Sequence, residues 1–369
     1  MRLPHTQSEG SVSTILVTGG AGFIGSSFVR HWLAHHANDR VVNYDLLTYA
    51  ACPASLDDVV EREGDRYAFV QGDIRDYDLA LATIRGHAVD VIVNFAAESH
   101  NSRAVVQPET FFTTNVVGTV QLMRAALEAG VSRFHHVSTC EVYGDLPLDA
   151  DDTFVESSPL VPKTPYNASK AAADLAVNAF FETYGLPATI SNCANNYGPY
   201  QFPEKVIPHF VVSVLNGKPM TLYRGSRNRR EWLHVDDHCR AIETIIERGR
   251  LGEMYNVGSG LEVDIEGIAD RILEVLNADP ALKSYVPDRP GHDRRYLLDS
   301  SKIRSELGWQ PRIDFEAGFE ATVHWYRDNV HWWRGLLDRV VVDETGWQDD
   351  PEDVDAPPKS SVPQAGAIA

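Results

Sequence analysis

Cysteine is scarce in this chain and never clustered. Cys52, Cys140, Cys193 and Cys239 are four residues in 369, far apart and without a Cys-x-x-Cys pair. That spacing excludes a disulfide framework and a zinc ribbon, and a cytoplasmic protein is expected. Long hydrophobic runs are missing as well. No stretch approaches the roughly 20 apolar residues that span a bilayer, and residues 1–12 lack an apolar signal core, so no membrane partner is expected. Positive charge is the third shortage: 33 Lys and Arg stand against 52 Asp and Glu, a net charge of −19. Basic residues gather only at Arg227, Arg229 and Arg230. Such a surface repels a phosphate backbone, so nucleic acid is not expected to bind, whereas a few local arginines can still hold one small anion.

What is present is an alternation of short apolar runs with helical stretches. "TILVTGG", "RVVNYD", "YAFVQGD", "VDVIVNFAAES", "RFHHVSTCEVYG" and "LPATISNCANNYG" read as strands, with helices such as "TVQLMRAALEAG" and "ASKAAADLAVNAFFETYG" between them. The spacing predicts an α/β fold with a doubly wound parallel sheet of the Rossmann type, which binds ligands at the carboxyl ends of its strands. Residues 13–197 are expected to form this unit, with a return segment near 231–258. Residues 198–342, richer in proline, aromatics and arginine, are expected to form mainly a substrate-binding lobe. Residues 1–12 and 343–369 read as disordered.

"TGGAGFIG" places Gly19, Gly22 and Gly25 directly after the first strand and into a helix, with Phe23 and Ile24 between the last two glycines. The glycines permit a tight turn and let a pyrophosphate approach the helix N-terminus. Asp45 ends the next strand, where a carboxylate accepts from ribose hydroxyls and repels a 2′-phosphate, so NAD is expected rather than NADP. Asp73 and Ile74 after the third strand, and the small residues Ala96 and Ala97 after the fourth, are expected to line the same cofactor. In "PYNASK", Tyr166 and Lys170 are four apart and share one helix face. An ammonium beside the phenol is expected to lower its pKa and make Tyr166 a base for a sugar hydroxyl, with Thr139 nearby. His31 with His35, and His234 with His238 and Cys239, have the spacing of metal pairs, but no third ligand is apparent and no metal is expected. Trp325, Trp332 and Trp333 are expected to pack a closing helix.

These motifs resemble the extended short-chain dehydrogenase/reductase superfamily. With "NNYGPYQFPEKVIP", "REWLHVDDHCRAI", "YNVGSG" and "PDRPGHDRRYLLD", they are similar to its sugar-nucleotide 4,6-dehydratases from about Thr14 to Trp333. The resemblance implies a homodimer, formed by helices near residues 105–129 and 166–184, and a nucleoside-diphosphate hexose substrate carrying thymidine or uridine. It implies oxidation at C4 with Tyr166, Thr139 and Lys170, C5 deprotonation by Glu141, loss of water from C6 and return of hydride. It places His100, Arg103, Asn196, Glu204, Lys205, Arg230, Arg289 and His292 around the nucleotide sugar. Two departures stand out. The family's Ser-Thr-Asp-Glu-Val-Tyr-Gly is here Ser138-Thr139-Cys140-Glu141-Val142-Tyr143-Gly144, and its "ESHVDR" is "ESHNSR", with Asn101 and Ser102 changed. A thiol of pKa about 8.5 is protonated at neutral pH and can replace the acid that expels water. Otherwise the elimination is given up or redirected, towards an epimerase or an unsaturated sugar, or Cys140 merely packs. A non-catalytic NAD-binding protein is the rival from another class.

Overall fold

The computed structural model describes residues 13–224, 227–287 and 292–340. The terminal segments read as disordered, and Arg289, lie outside the described residues.

Six strands follow the expected order: β1 (Thr14–Thr18), β2 (Arg40–Asp45), β3 (Tyr67–Gln71), β4 (Val91–Asn94), β5 (Arg133–Thr139) and β6 (Ala188–Cys193). A seventh strand, Met254–Val257, pairs with β6, and the parallel sheet runs Met254–Val257, β6, β5, β4, β1, β2, β3. Every residue of β1, β4 and β6 is buried, as a strand covered on both faces requires, whereas edge strand β3 is half exposed. Chain order reverses between β1 and β4, and the crevice at that switch point is where such sheets hold ligands.

The lobe beyond β6 has two small sheets. Arg229–His234 pairs with Asn195–Tyr197 and with Glu262–Asp264, and Met220–Tyr223 pairs with Lys283–Val286. Its own core gathers Tyr197, Phe210, Trp232, Phe315 and Phe319. Trp332 and Trp333 are buried in that core, and Trp325, on the Phe315–Asp328 helix, packs against it, so these tryptophans do close the fold.

The first histidine pair does not converge on one partner: His35 Nδ1 lies 2.8 Å from His31 O, while His31 and the next residue, His36, meet a carboxylate far away in sequence. His31 Nε2 lies 2.9 Å from Glu243 Oε2, and His36 Nε2 lies 2.7 Å from Glu243 Oε1. One carboxylate thus pins α1 (Phe23–His35) to the Val235–Arg248 helix. Burial lowers the His36 pKa, but the bond and charge of Glu243 outweigh it and leave it raised. Burial likewise raises Glu243, yet its two histidine bonds pull it below the usual carboxylate range. A raised histidine stabilises fully below about pH 6.5 and fades as pH climbs through its folded value; a lowered carboxylate stabilises above about pH 4.5. The melting temperature lost on Glu243→Gln is therefore expected to be larger at about pH 5.5 than at about pH 8.5; an equal loss at both would refute the pairing. The second pair is core: His238 Nδ1 bonds Asn196 Oδ1 at 3.0 Å, and Cys239 is buried and free.

Candidate active site

The glycine turn is built by close approach. Gly19 has φ +67°, and a Cβ there would sit 2.8 Å from the Ala96 backbone nitrogen. A Cβ on Gly25 would collide with the Gly19 carbonyl. Gly22 caps α1 without a side-chain bond, and no acidic residue lies in the first turn, so its N–H groups and dipole remain available to an anion. Asp45 sits at the end of β2, accepting from Ala21 N at 3.0 Å and Leu47 N at 2.7 Å. Burial raises its pKa and these bonds partly counter it. Asp73 is held by Arg75; burial pushes its carboxyl up, but the Arg75 bonds and charge leave it lowered.

A cleft of about 540 Å³ runs over this turn. Gly19, Gly22, Phe23, Ile24, Gly25, Asp45, Asp73, Ile74, Ala96 and Ala97 line it, together with Thr139, Glu141, Tyr166 and Lys170. A second cleft of about 410 Å³ adjoins it, lined by His100, Glu204, Lys205, Arg230 and His292. Glu141, Ser99, Asn195, Glu204 and Lys205 border both. The two clefts meet at Glu141, close to Tyr166.

The Tyr166 helix, Pro165–Tyr184, starts cleanly: Thr164 caps it by accepting from Asn167 N at 3.2 Å, and Pro165 opens the first turn. Tyr166 and Lys170 share a face, yet Lys170 does not act on the phenol as expected. Its Nζ donates to Val137 O at 2.8 Å and lies 3.3 Å from His136 Nε2, drawn into the sheet. The Tyr166 phenol is pushed well up, first by burial, then by Glu141 and the thiols Cys193 and Cys140, with a Thr139 bond pulling the other way. Behind Lys170 a buried polar chain continues. Ser138 Oγ donates to Asp174 Oδ2 at 2.8 Å, His136 Nδ1 is 3.1 Å from Asn94 Nδ2, and Thr18 Oγ1 donates to Asn94 Oδ1 at 2.6 Å. Burial raises Asp174 to about 7 and holds His136 well below its usual value, so His136 is neutral beside the lysine.

Other residues stand differently from expectation. Cys140 is 2% exposed, lines neither cleft, and belongs to the apolar cluster that includes Ala171, Cys193 and Tyr296. Burial, then Glu141, lifts its thiol well above the usual range. Arg103 lines neither cleft; its guanidinium stacks 3.9 Å over the Tyr49 ring. Asn196 lines the cleft over the glycine turn rather than its neighbour and is tied to His238 and to Ala194 O. Arg230 lines the second cleft, lies 4.8 Å over the Tyr296 ring, and is held there by donating to Arg229 O at 2.9 Å and Asp293 O at 2.8 Å.

Several cleft residues had no signal in the sequence. Tyr223 and Trp232, on strands of the lobe's small sheets, line the second cleft with Tyr296, and Arg227 of the basic cluster joins them. Asn115, in a π-helical stretch at Thr113–Gly118, accepts from Glu98 N at 2.8 Å and donates to Ser169 Oγ at 2.9 Å, joining the cleft wall to the Tyr166 helix.

A parallel sheet opened by a glycine turn, with a tyrosine and a lysine at the mouth of the same cleft, defines a dinucleotide-binding enzyme of the Rossmann class. The chain belongs to the family described as GDP-mannose 4,6 dehydratase, whose model matches residues 16–322. It is 47% identical over 326 residues to a dTDP-glucose 4,6-dehydratase of Streptomyces niveus, covering 87% of this chain and 95% of that one. A protein of the same description from Mycobacterium tuberculosis is 47% identical over 325 residues, covering 88% and 96%. The crystal structure of dTDP-glucose 4,6-dehydratase from Streptomyces venezuelae, with NAD bound, is 48% identical with a TM-score of 0.84, covering 88% of this chain and 99% of that one.

Proposed function

We propose that this protein is an NAD-dependent 4,6-dehydratase converting dTDP-glucose to its 4-keto-6-deoxy product. The carrying observation is Glu141, which borders both clefts and so faces a sugar whose C4 lies near Tyr166. The relatives' descriptions favour the thymidine nucleotide. The N-terminal sheet and its return strand hold the cofactor, and the lobe holds the nucleotide sugar. NAD fits the larger cleft: the Gly19 and Gly25 approaches leave room for a pyrophosphate, and Asp45 stands where ribose hydroxyls donate.

When bound, NAD accepts a hydride from sugar C4 and returns it to C6. Tyr166, bonded to Thr139, takes the O4 proton as that hydride leaves. The new C4 carbonyl acidifies the C5 proton; Glu141 removes it and passes it to the hydroxide leaving C6, which departs as water. Glu141 then takes a proton from solvent and gives it to C5, and the O4 proton held by Tyr166 goes to solvent, so one water is lost overall. His100, Lys205, Arg230 and His292 bind along the second cleft, arginine's fork suiting the diphosphate oxygens.

Cys140 packs rather than donates in this reading. Losing a general acid costs roughly 10²- to 10⁴-fold. Cys140→Ala is instead expected to keep the rate of water loss within about tenfold of native; a larger fall would restore the thiol as the acid.

The same reading includes a cytoplasmic homodimer. Free cysteines support the compartment, and among the described residues no helix is long and apolar enough to cross a membrane. Val105, Val106, Val117 and Leu175 expose apolar surface on the helices expected to pair.

The test is turnover of dTDP-glucose, with UDP-glucose beside it, in D₂O, followed by NMR and mass spectrometry. Loss of one water with deuterium at C5 is expected. Deuterium at C5 without water loss would replace the dehydratase with an epimerase, and no change with either sugar would return weight to a non-catalytic protein.

A further inference from the structure

Asn101 occupies one of the two places where the "ESHNSR" stretch departs from the family text it resembles, and its side chain makes contacts that a valine could not. It begins a short helix, Asn101–Val106, after β4, and lines the second cleft beside His100 and Ser102. Its Nδ2 donates to Glu141 Oε2 at 3.0 Å. Its Oδ1 accepts from Thr164 Oγ1, also at 3.0 Å. Thr164 is the cap of the Tyr166 helix, and its hydroxyl oxygen is engaged by Asn167 N, which leaves the hydroxyl proton for Asn101. That order fixes the amide's orientation: turned over, it would set its oxygen against the Glu141 carboxylate and its NH₂ against a committed donor.

One carboxamide therefore joins three segments that are distant in sequence: the loop after β4, the carboxylate after β5 and the cap of the helix bearing Tyr166 and Lys170. A carboxylate on a two-methylene stem has several rotamers, and a misplacement of about 1 Å costs proton transfer roughly 10²-fold. We propose that Asn101 is a positioning residue for the C5 proton transfer, holding Glu141 in register with the Tyr166 helix so that C4 and C5 are addressed from one rigid frame. This rests on the reading of Glu141 as the C5 base.

The test is Asn101→Val in the full-length protein with dTDP-glucose. Two rates are read in one sample: formation of reduced nicotinamide by its absorbance, and deuterium entry at C5 in D₂O. C5 exchange and kcat are expected to fall about 10- to 100-fold, with KM and cofactor reduction within about twofold of native, so that reduced cofactor builds up during turnover. Thr164→Ser, which keeps the hydroxyl, is expected to keep the native exchange rate, while Thr164→Val shows part of the loss. If Asn101→Val fails to fold, Asn101→Ser removes the reach to Glu141 while leaving a polar group, and the same split applies. Equal loss of reduction and exchange would make Asn101 merely structural, and no loss of either would remove its role; both overturn the proposal. Glu141→Gln keeps the two readings apart. If that variant abolishes exchange while Asn101→Val does not slow it, only the positioning role fails; if exchange survives Glu141→Gln, the base assignment fails first.

Discussion

Replacing Tyr166 by phenylalanine is expected to lower kcat by about 10²- to 10⁴-fold with little change in nucleotide-sugar affinity, because only the hydroxyl that removes the O4 proton is lost. The pH dependence is the sharper signature. Burial, Glu141 and two thiols hold the phenol well above its ordinary pKa, and Lys170 is engaged with Val137 O instead of opposing them. A base whose pKa lies above the working pH is a minority species, and its population grows about tenfold for each pH unit climbed towards that pKa. The native rate of cofactor reduction should therefore rise with pH through the neutral range. Tyr166→Phe should show a residual rate without that rise. Thr139→Val, which removes the one contact that pulls the phenol down, should move the rise to higher pH and cost less than the phenylalanine change. A phenylalanine variant that keeps both the rise and a rate within tenfold of native would remove Tyr166 from the chemistry.

The parts of the site that could be read from the sequence are those that local backbone geometry decides. Gly19 needs a left-handed φ and an open path to Ala96, and Asp45 lies one strand away, so the cofactor cleft is written within one strand-helix-strand unit. Tyr166 and Lys170 lie on one helix turn for the same reason. Spacing could not tell where a side chain points once the sheet is assembled. Lys170 looked like the tyrosine's partner, but Val137 O and the His136–Asp174 pair draw it inward. Cys140 stands where a carboxylate was expected, and an uncharged thiol suits the apolar cluster it joins. Arg103 resembled a substrate ligand and instead stacks on Tyr49. Glu243 could not be found from the His31 and His35 spacing, because it bonds His31 and His36 from a helix over two hundred positions away. In each of these cases the deciding partner comes from another segment of the chain, which periodicity does not encode.

Glu141→Gln is expected to divide the reaction at the step where Tyr166→Phe would prevent it from starting. Glutamine has the shape of glutamate and offers Asn101 Nδ2 an oxygen to bond, so the side chain keeps its place while losing its capacity as a base. Proton removal from O4 does not involve it, and the C4 oxidation should still reduce the cofactor. With C5 no longer deprotonated, C5 deuterium exchange and water loss should fall by about 10²- to 10⁴-fold. Reduced nicotinamide should then accumulate to nearly one equivalent per active site and persist, whereas in Tyr166→Phe it should hardly form. The native enzyme should show only a small steady-state fraction, because its hydride is returned to C6. A Glu141→Gln protein that still exchanged the C5 proton at the native rate would place the base elsewhere on the wall shared by the two clefts. Glu204 would then be the first group to replace, being the other carboxylate that borders both.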